Sequence, residues 1–130
     1  MKPLTAEWVA KAERDFATME RESRVTDCPN FEGVCFHAQQ CAEKYLKACL
    51  CEAGVAFGKV HDLVALLESA LAVEPSWESH REDLAYLSAF AVSVRYPGDS
   101  ADQNCALDAQ RRCRAFRAAA RQSLGLSCER

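Results

Sequence analysis

Residues 36–48, Phe36-His37-Ala38-Gln39-Gln40-Cys41-Ala42-Glu43-Lys44-Tyr45-Leu46-Lys47-Ala48, carry two interleaved rows of side chains at helical spacing. Phe31, Val34, Ala38, Cys41, Tyr45 and Cys49 recur at steps of three and four, the spacing of one helix face, so they read as core. His37, Gln40, Lys44 and Lys47 recur at the same steps along the flank of that stripe. A helix with both rows buries one face and offers the other, and the polar row is where binding chemistry is sought.

Reading outward, caps and breakers place four more helices. Thr5 is positioned to cap a first helix with Trp8, Val9, Ala12, Phe16 and Met19 inward, running to about Arg24. Asp27-Cys28-Pro29-Asn30 breaks the chain, Asn30 caps the second helix, and Gly54 supplies the left-handed residue just past its end. Leu63, Leu66, Leu67, Ala70 and Leu71 form a short third helix between His61-Asp62 and Pro75. Ser76 opens a fourth with Leu84, Leu87, Ala91 and Val94 inward, stopped at Arg95-Tyr96-Pro97-Gly98 because proline disfavours helix at the preceding residue. Ser100 and Gln103 form a capping box for the fifth. Four long amphipathic helices plus one short one, with no strand alternation, predict an all-α, antiparallel up-and-down bundle, one domain over residues 1–130. Ala42, Ala48, Ala85 and Ala89 are the small residues expected to let helices approach.

Composition narrows the function classes. No run approaches the roughly 20 apolar residues that span a bilayer, and Met1-Lys2-Pro3-Leu4-Thr5 lacks a signal-peptide apolar region, so a cytoplasmic protein without membrane contact is expected. Eight cysteines in such a chain read as reduced thiols inside helices, since no CxxC pair occurs. His37 and Cys41 are an i, i+4 pair, yet two ligands fall short of a zinc signature, and no metal or cofactor is expected. A net charge of −3 argues against indiscriminate nucleic-acid binding. Arg111, Arg114, Arg117 and Arg121 share one side of the last helix, either as a solvated face complementing the helix dipole or as a phosphate or protein surface. No GxxxxGK[ST] or GxGxxG turn is present, so a nucleotide site would have to use side chains on helices.

Arg95, in the last turn of its helix and followed by Tyr96 and a rigid proline, is placed to present a planar fork to phosphate. It can equally neutralise its own helix end or pair with an acid such as Asp15, which lies beside the apolar row of the first helix. His37 reads either as a half-buried packing residue or, with Gln40 and Lys44, as a contact to a phosphate or base edge. His61 reads as a helix-start residue bonding backbone, and His80 as a surface residue. Glu43 and Lys47 form an i, i+4 pair expected at a solvated surface.

The segment FHAQQCAEKYLKA, then His61-Asp62-Leu63, then Arg95-Tyr96-Pro97 before a final helix, resembles in that order the HEPN domain family (higher eukaryotes and prokaryotes nucleotide-binding). The resemblance implies a helical bundle that forms a homodimer and handles nucleotide or RNA. It also implies a separately encoded minimal nucleotidyltransferase as partner in a toxin–antitoxin-like pair. The candidates for nucleotide or partner binding are Arg95, Tyr96, His37, Gln40, Lys44 and His61, of which Arg95 carries over as a match to the family motif. In family members that are metal-independent ribonucleases, an arginine is followed after four to six residues by a histidine. Here Arg95 matches, but the corresponding positions hold Ser100, Ala101 and Asp102, and no histidine follows His80. Ribonuclease activity would then need a histidine from elsewhere, such as His37 across a dimer. A non-enzymatic helical adaptor is the third reading.

Overall fold

The computed structural model describes residues 1–91 and 97–128. Among them are five α-helices and no strand: α1 (Pro3–Ser23), α2 (Phe31–Glu52), α3 (Leu63–Ala70), α4 (Arg81–Ser88) and α5 (Gln103–Ser123). Short 3-10 turns at Pro75–His80 and Ala89–Ala91 flank α4, so the fourth helix of the sequence reading is present as a path in three pieces. Leu84 and Leu87 of its apolar row are buried, and Val94 lies outside the described residues. Trp77 seals the early part of this path, stacking edge-on against Phe116 with ring centroids 5.1 Å apart.

Local chemistry accounts for most helix ends. The Asn30 side chain accepts from the Gly33 backbone N–H at 2.8 Å, starting α2. Gly54, at φ +73°, ends it: the Gly54 and Val55 N–H groups return to the Cys51 and Leu50 carbonyls at 3.1 and 2.9 Å. Asp62 caps α3 through a 2.9 Å bond from the Val64 N–H. Three helix starts differ from expectation, the path to α4 opening at Pro75 rather than at Ser76. α1 begins at Pro3, whose fixed φ suits the first helical position, and Thr5 lies fully buried inside the first turn. α5 is capped by Asp102, whose carboxylate accepts from the Cys105 N–H at 2.8 Å; Ser100 lies too far upstream of the first turn.

Side-chain bonds fix the directions. The Lys2 backbone N–H donates to Glu52 at 2.9 Å and its ammonium to the Cys51 carbonyl at 3.0 Å, so α1 and α2 are antiparallel. Tyr45 meets Arg121 and Cys41 meets Cys113, so α5 runs parallel to α2. Asp83 meets Arg112 at 3.0 Å and Tyr86 reaches the Cys105 carbonyl at 3.4 Å, so α4 and α5 are antiparallel. The order is up, down, up, down, with α3 tied across by a 3.0 Å bond from the Leu63 N–H to Ser88 Oγ.

α2 is the central helix, and from Cys41 to Leu50 only Lys44 escapes full burial. Ala42 and Ala48 permit close approach as expected, whereas Ala85 and Ala89 face outward and permit none. All eight cysteines are free thiols; Cys35, Cys41, Cys49 and Cys113 are buried as small hydrophobes. Burial pushes the Cys35 and Cys49 thiols up to about 12 and raises Cys41 well above the ordinary value, which keeps these thiols protonated and inert. No helix among the described residues is long and apolar enough to cross a membrane.

Candidate functional site on the polar edge of the second helix

The polar row of α2 is organised by carboxylates. Asp15 of α1 is buried, and both of its oxygens are used: Oδ1 takes His37 Nδ1 at 2.8 Å and Oδ2 accepts from Lys44 Nζ. An ionised carboxylate only accepts, so His37 carries its proton on Nδ1, and Nε2 has no protein partner among the described residues. Burial alone would raise the Asp15 pKa, but the hydrogen bonds and charges of His37 and Lys44 outweigh it and hold the carboxyl below its ordinary 3.8. The two partners keep 29% and 23% of their side chains in solvent, so an imidazole and an ammonium stand at the edge over one buried acid.

One turn along, Glu43 collects the second set. Its Oε1 accepts from Gln39 Nε2 at 2.9 Å; its Oε2 meets Lys47 Nζ and His61 Nδ1, each at 3.0 Å. Gln40 Nε2 donates to Gln39 Oε1 at 2.7 Å, so the outer row is wired to this inner one. Burial pushes the Glu43 pKa up, and the bonds from Gln39, Lys47 and His61 bring it below its ordinary value. His61 bonds this carboxylate rather than the backbone, and Asp62 does the capping. The Glu43–Lys47 pair exists at helical spacing but is not solvated. Lys47 is 5% exposed because Trp8 and Phe57 enclose its ammonium at 5.5 and 5.8 Å from their ring centroids.

Most of the arginine row of α5 is likewise engaged. Arg117 grips Glu13 of α1 with a two-bond fork, both at 2.8 Å, and lies 4.0 Å over the Phe16 ring. Tyr45 donates to the same carboxylate and accepts from Arg121 at 2.9 Å. Arg114 forks onto Glu20 at 3.1 and 2.6 Å. Arg111 alone pairs within its own helix, on Asp108 at 2.6 Å. The solvated-face reading of this row is therefore corrected: three of its four guanidinium groups hold α5 to α1. The signal for this was complementary spacing, since Glu13 and Glu20 stand seven residues apart on α1 opposite arginines at i, i+3 and i+7 on α5.

Of the six residues proposed from sequence, His37 and Lys44 converge on Asp15, while Gln40 and His61 join the adjoining Glu43 network. Arg95 and Tyr96 lie outside the described residues. Asp15, proposed as a partner for Arg95, has both oxygens taken by His37 and Lys44. Among the described residues, no group of three or more His, Cys, Asp and Glu is placed to hold a metal ion. His37 and Cys41 do not form a ligand pair, because Nδ1 is on Asp15 and the thiol is packed against Cys113 in the core.

An all-helical bundle with this polar second helix, a capped His-Asp-Leu start to the third and no glycine-rich phosphate loop defines a class of small helical domains. The HEPN domain family matches residues 5–123, nearly the whole chain, and the protein belongs to that family. Neither the curated proteins nor the solved structures gave a match to it.

Proposed function

We propose that this HEPN protein binds nucleotide or RNA phosphate at the edge formed by Lys44, His37 and Gln40. It works beside a separately encoded minimal nucleotidyltransferase, as one half of a toxin–antitoxin-like pair, and acts as a homodimer. The supporting observation is the shared carboxylate: Asp15 fixes Lys44 and His37 side by side while each keeps part of its surface in water. A lysine ammonium has three donors, and the bond to Asp15 uses one, so a phosphate oxygen can be received without dismantling the site. Arg95 and Tyr96 join the proposal from the family motif.

The test is calorimetric or anisotropy titration with nucleoside triphosphates and short RNA, on wild type and Lys44→Gln. Binding that weakens at least about tenfold in the variant supports the reading; absence of binding to either ligand class, or equal affinity in both proteins, removes it. Copurification with the neighbouring reading frame's product tests the partner separately.

One observation favours a second reading, the ribonuclease. A carboxylate on Nδ1 is the arrangement that orients an imidazole for proton transfer at Nε2. Incubation of structured RNA in EDTA with wild type, Arg95→Ala and His37→Ala decides it: cleavage lost in both variants supports catalysis, and cleavage that is absent, or that either variant retains, rejects it.

A further inference from the structure

The α1–α5 seam is bridged by long side chains, and two clefts remain along it, on either side of the Glu20–Gln110–Ser23 bridge. The first, about 300 Å³, sets Val25, Pro29, Val34 and Leu107 beside one aromatic ring, Phe31, with a polar border that includes Glu22, Thr26 and Gln103. Val25 and Leu107 are among the few large hydrophobics left exposed, at 39% and 56%. The second, about 330 Å³, has Phe16 and Ala17 between charged walls and ends at Arg21 and Arg24. Both of these arginines are exposed, and their guanidinium groups have no ion-pair partner among the described residues. Glu13 and Glu20 on this half are already paired with Arg117, Arg121 and Arg114, which leaves Arg21 and Arg24 as its free charge.

We infer that this groove docks an acidic amphipathic segment of a partner protein, an aliphatic anchor seated between Val25 and Leu107 and its carboxylates meeting Arg21 and Arg24. An antiparallel helix pair with an apolar cleft and a cationic rim is the surface that receives such a segment. RNA fits less well. Base recognition needs exposed aromatic faces, and the single ring of the anchor cleft is half-buried. The free cations along the groove are two among the described residues, and Glu22 borders the anchor cleft, which suits a few carboxylates better than a continuous phosphate chain. The surface is separate from the Lys44 edge, and the inference does not rest on the function proposed there.

The test selects a random peptide library on the full chain and measures the enriched peptides by anisotropy, alongside oligouridine, on wild type, Arg21→Glu/Arg24→Glu, Leu107→Asp and Lys44→Gln. All substituted positions are solvent-facing or half-exposed, and circular dichroism confirms that each variant folds. Enriched peptides should carry excess Asp and Glu around an aliphatic anchor. Their affinity should fall at least about tenfold in both groove variants and stay unchanged in Lys44→Gln. No enriched peptide, peptides without acidic bias, or equal binding to the groove variants would overturn the inference. Oligouridine binding lost in the groove variants while acidic peptides bind all proteins alike would assign the groove to RNA instead.

Discussion

Replacing Asp15 with Asn keeps the shape of the side chain and removes its charge, which probes the polar edge with little steric disturbance. Wild type has two charge-assisted bonds there, from His37 and Lys44, each worth about 1.5–3 kcal/mol when fully shielded. Both partners are partly solvated and can rehydrate, and the Asn carbonyl can still accept one bond, so the expected loss is about 1–2 kcal/mol, or roughly 3–8 °C in Tm for a domain of this size. The pH dependence follows from the direction of the Asp15 shift. Its folded pKa lies below the ordinary 3.8, so the contribution is fully present above about pH 4 and is lost as pH falls through the lower folded value. Urea unfolding of wild type and Asp15→Asn should give curves separated at neutral pH that converge near and below the folded pKa. Equal stability at neutral pH, or a gap that persists unchanged after the carboxyl has protonated, would refute the assignment of Asp15 as the acid holding the edge.

Lys47→Met should destabilise by about 2–4 kcal/mol in urea unfolding, because Glu43 stays buried with only Gln39 and His61 to satisfy it; adding Glu43→Gln should recover part of the loss. Arg117→Lys should cost about 1–2 kcal/mol, since an ammonium cannot reproduce the fork on Glu13 or the stack on Phe16, and an unchanged midpoint would count against that bridge. Asp102→Ala should cost about 1 kcal/mol, while Ser100→Ala should stay within about 0.5, which separates the observed cap of α5 from the expected one.

The helices were legible because Val34, Ala38, Cys41, Tyr45 and Cys49 repeat with the period of a helix face, and because Asn30, Gly54 and Asp62 carry capping chemistry that acts over a few residues. The N-terminal cap of α5 was misplaced because Ser100, Asp102 and Gln103 offer competing local patterns, and only the backbone path selects Asp102. Lys47 was read as solvated because its i, i+4 spacing from Glu43 says nothing about Trp8 and Phe57, which arrive from α1 and the loop before α3. The arginine row of α5 failed for the same reason: a charged stripe on one helix looks solvated until the acids of a distant helix are set against it. At the candidate site, the α2 row was visible as a period, and the convergence of His37 and Lys44 on Asp15 was not, since it depends on the register of α1 against α2.

The central claim, that the Lys44–His37–Gln40 edge receives nucleotide or RNA phosphate, is tested most directly by amide and side-chain NMR shift mapping during titration with a nucleoside triphosphate and with short RNA. Shifts should centre on His37, Gln40, Lys44 and Asp15, and vanish in Lys44→Gln. Saturating ligand that leaves those four residues unmoved, or moves only residues remote from α2, would contradict the account.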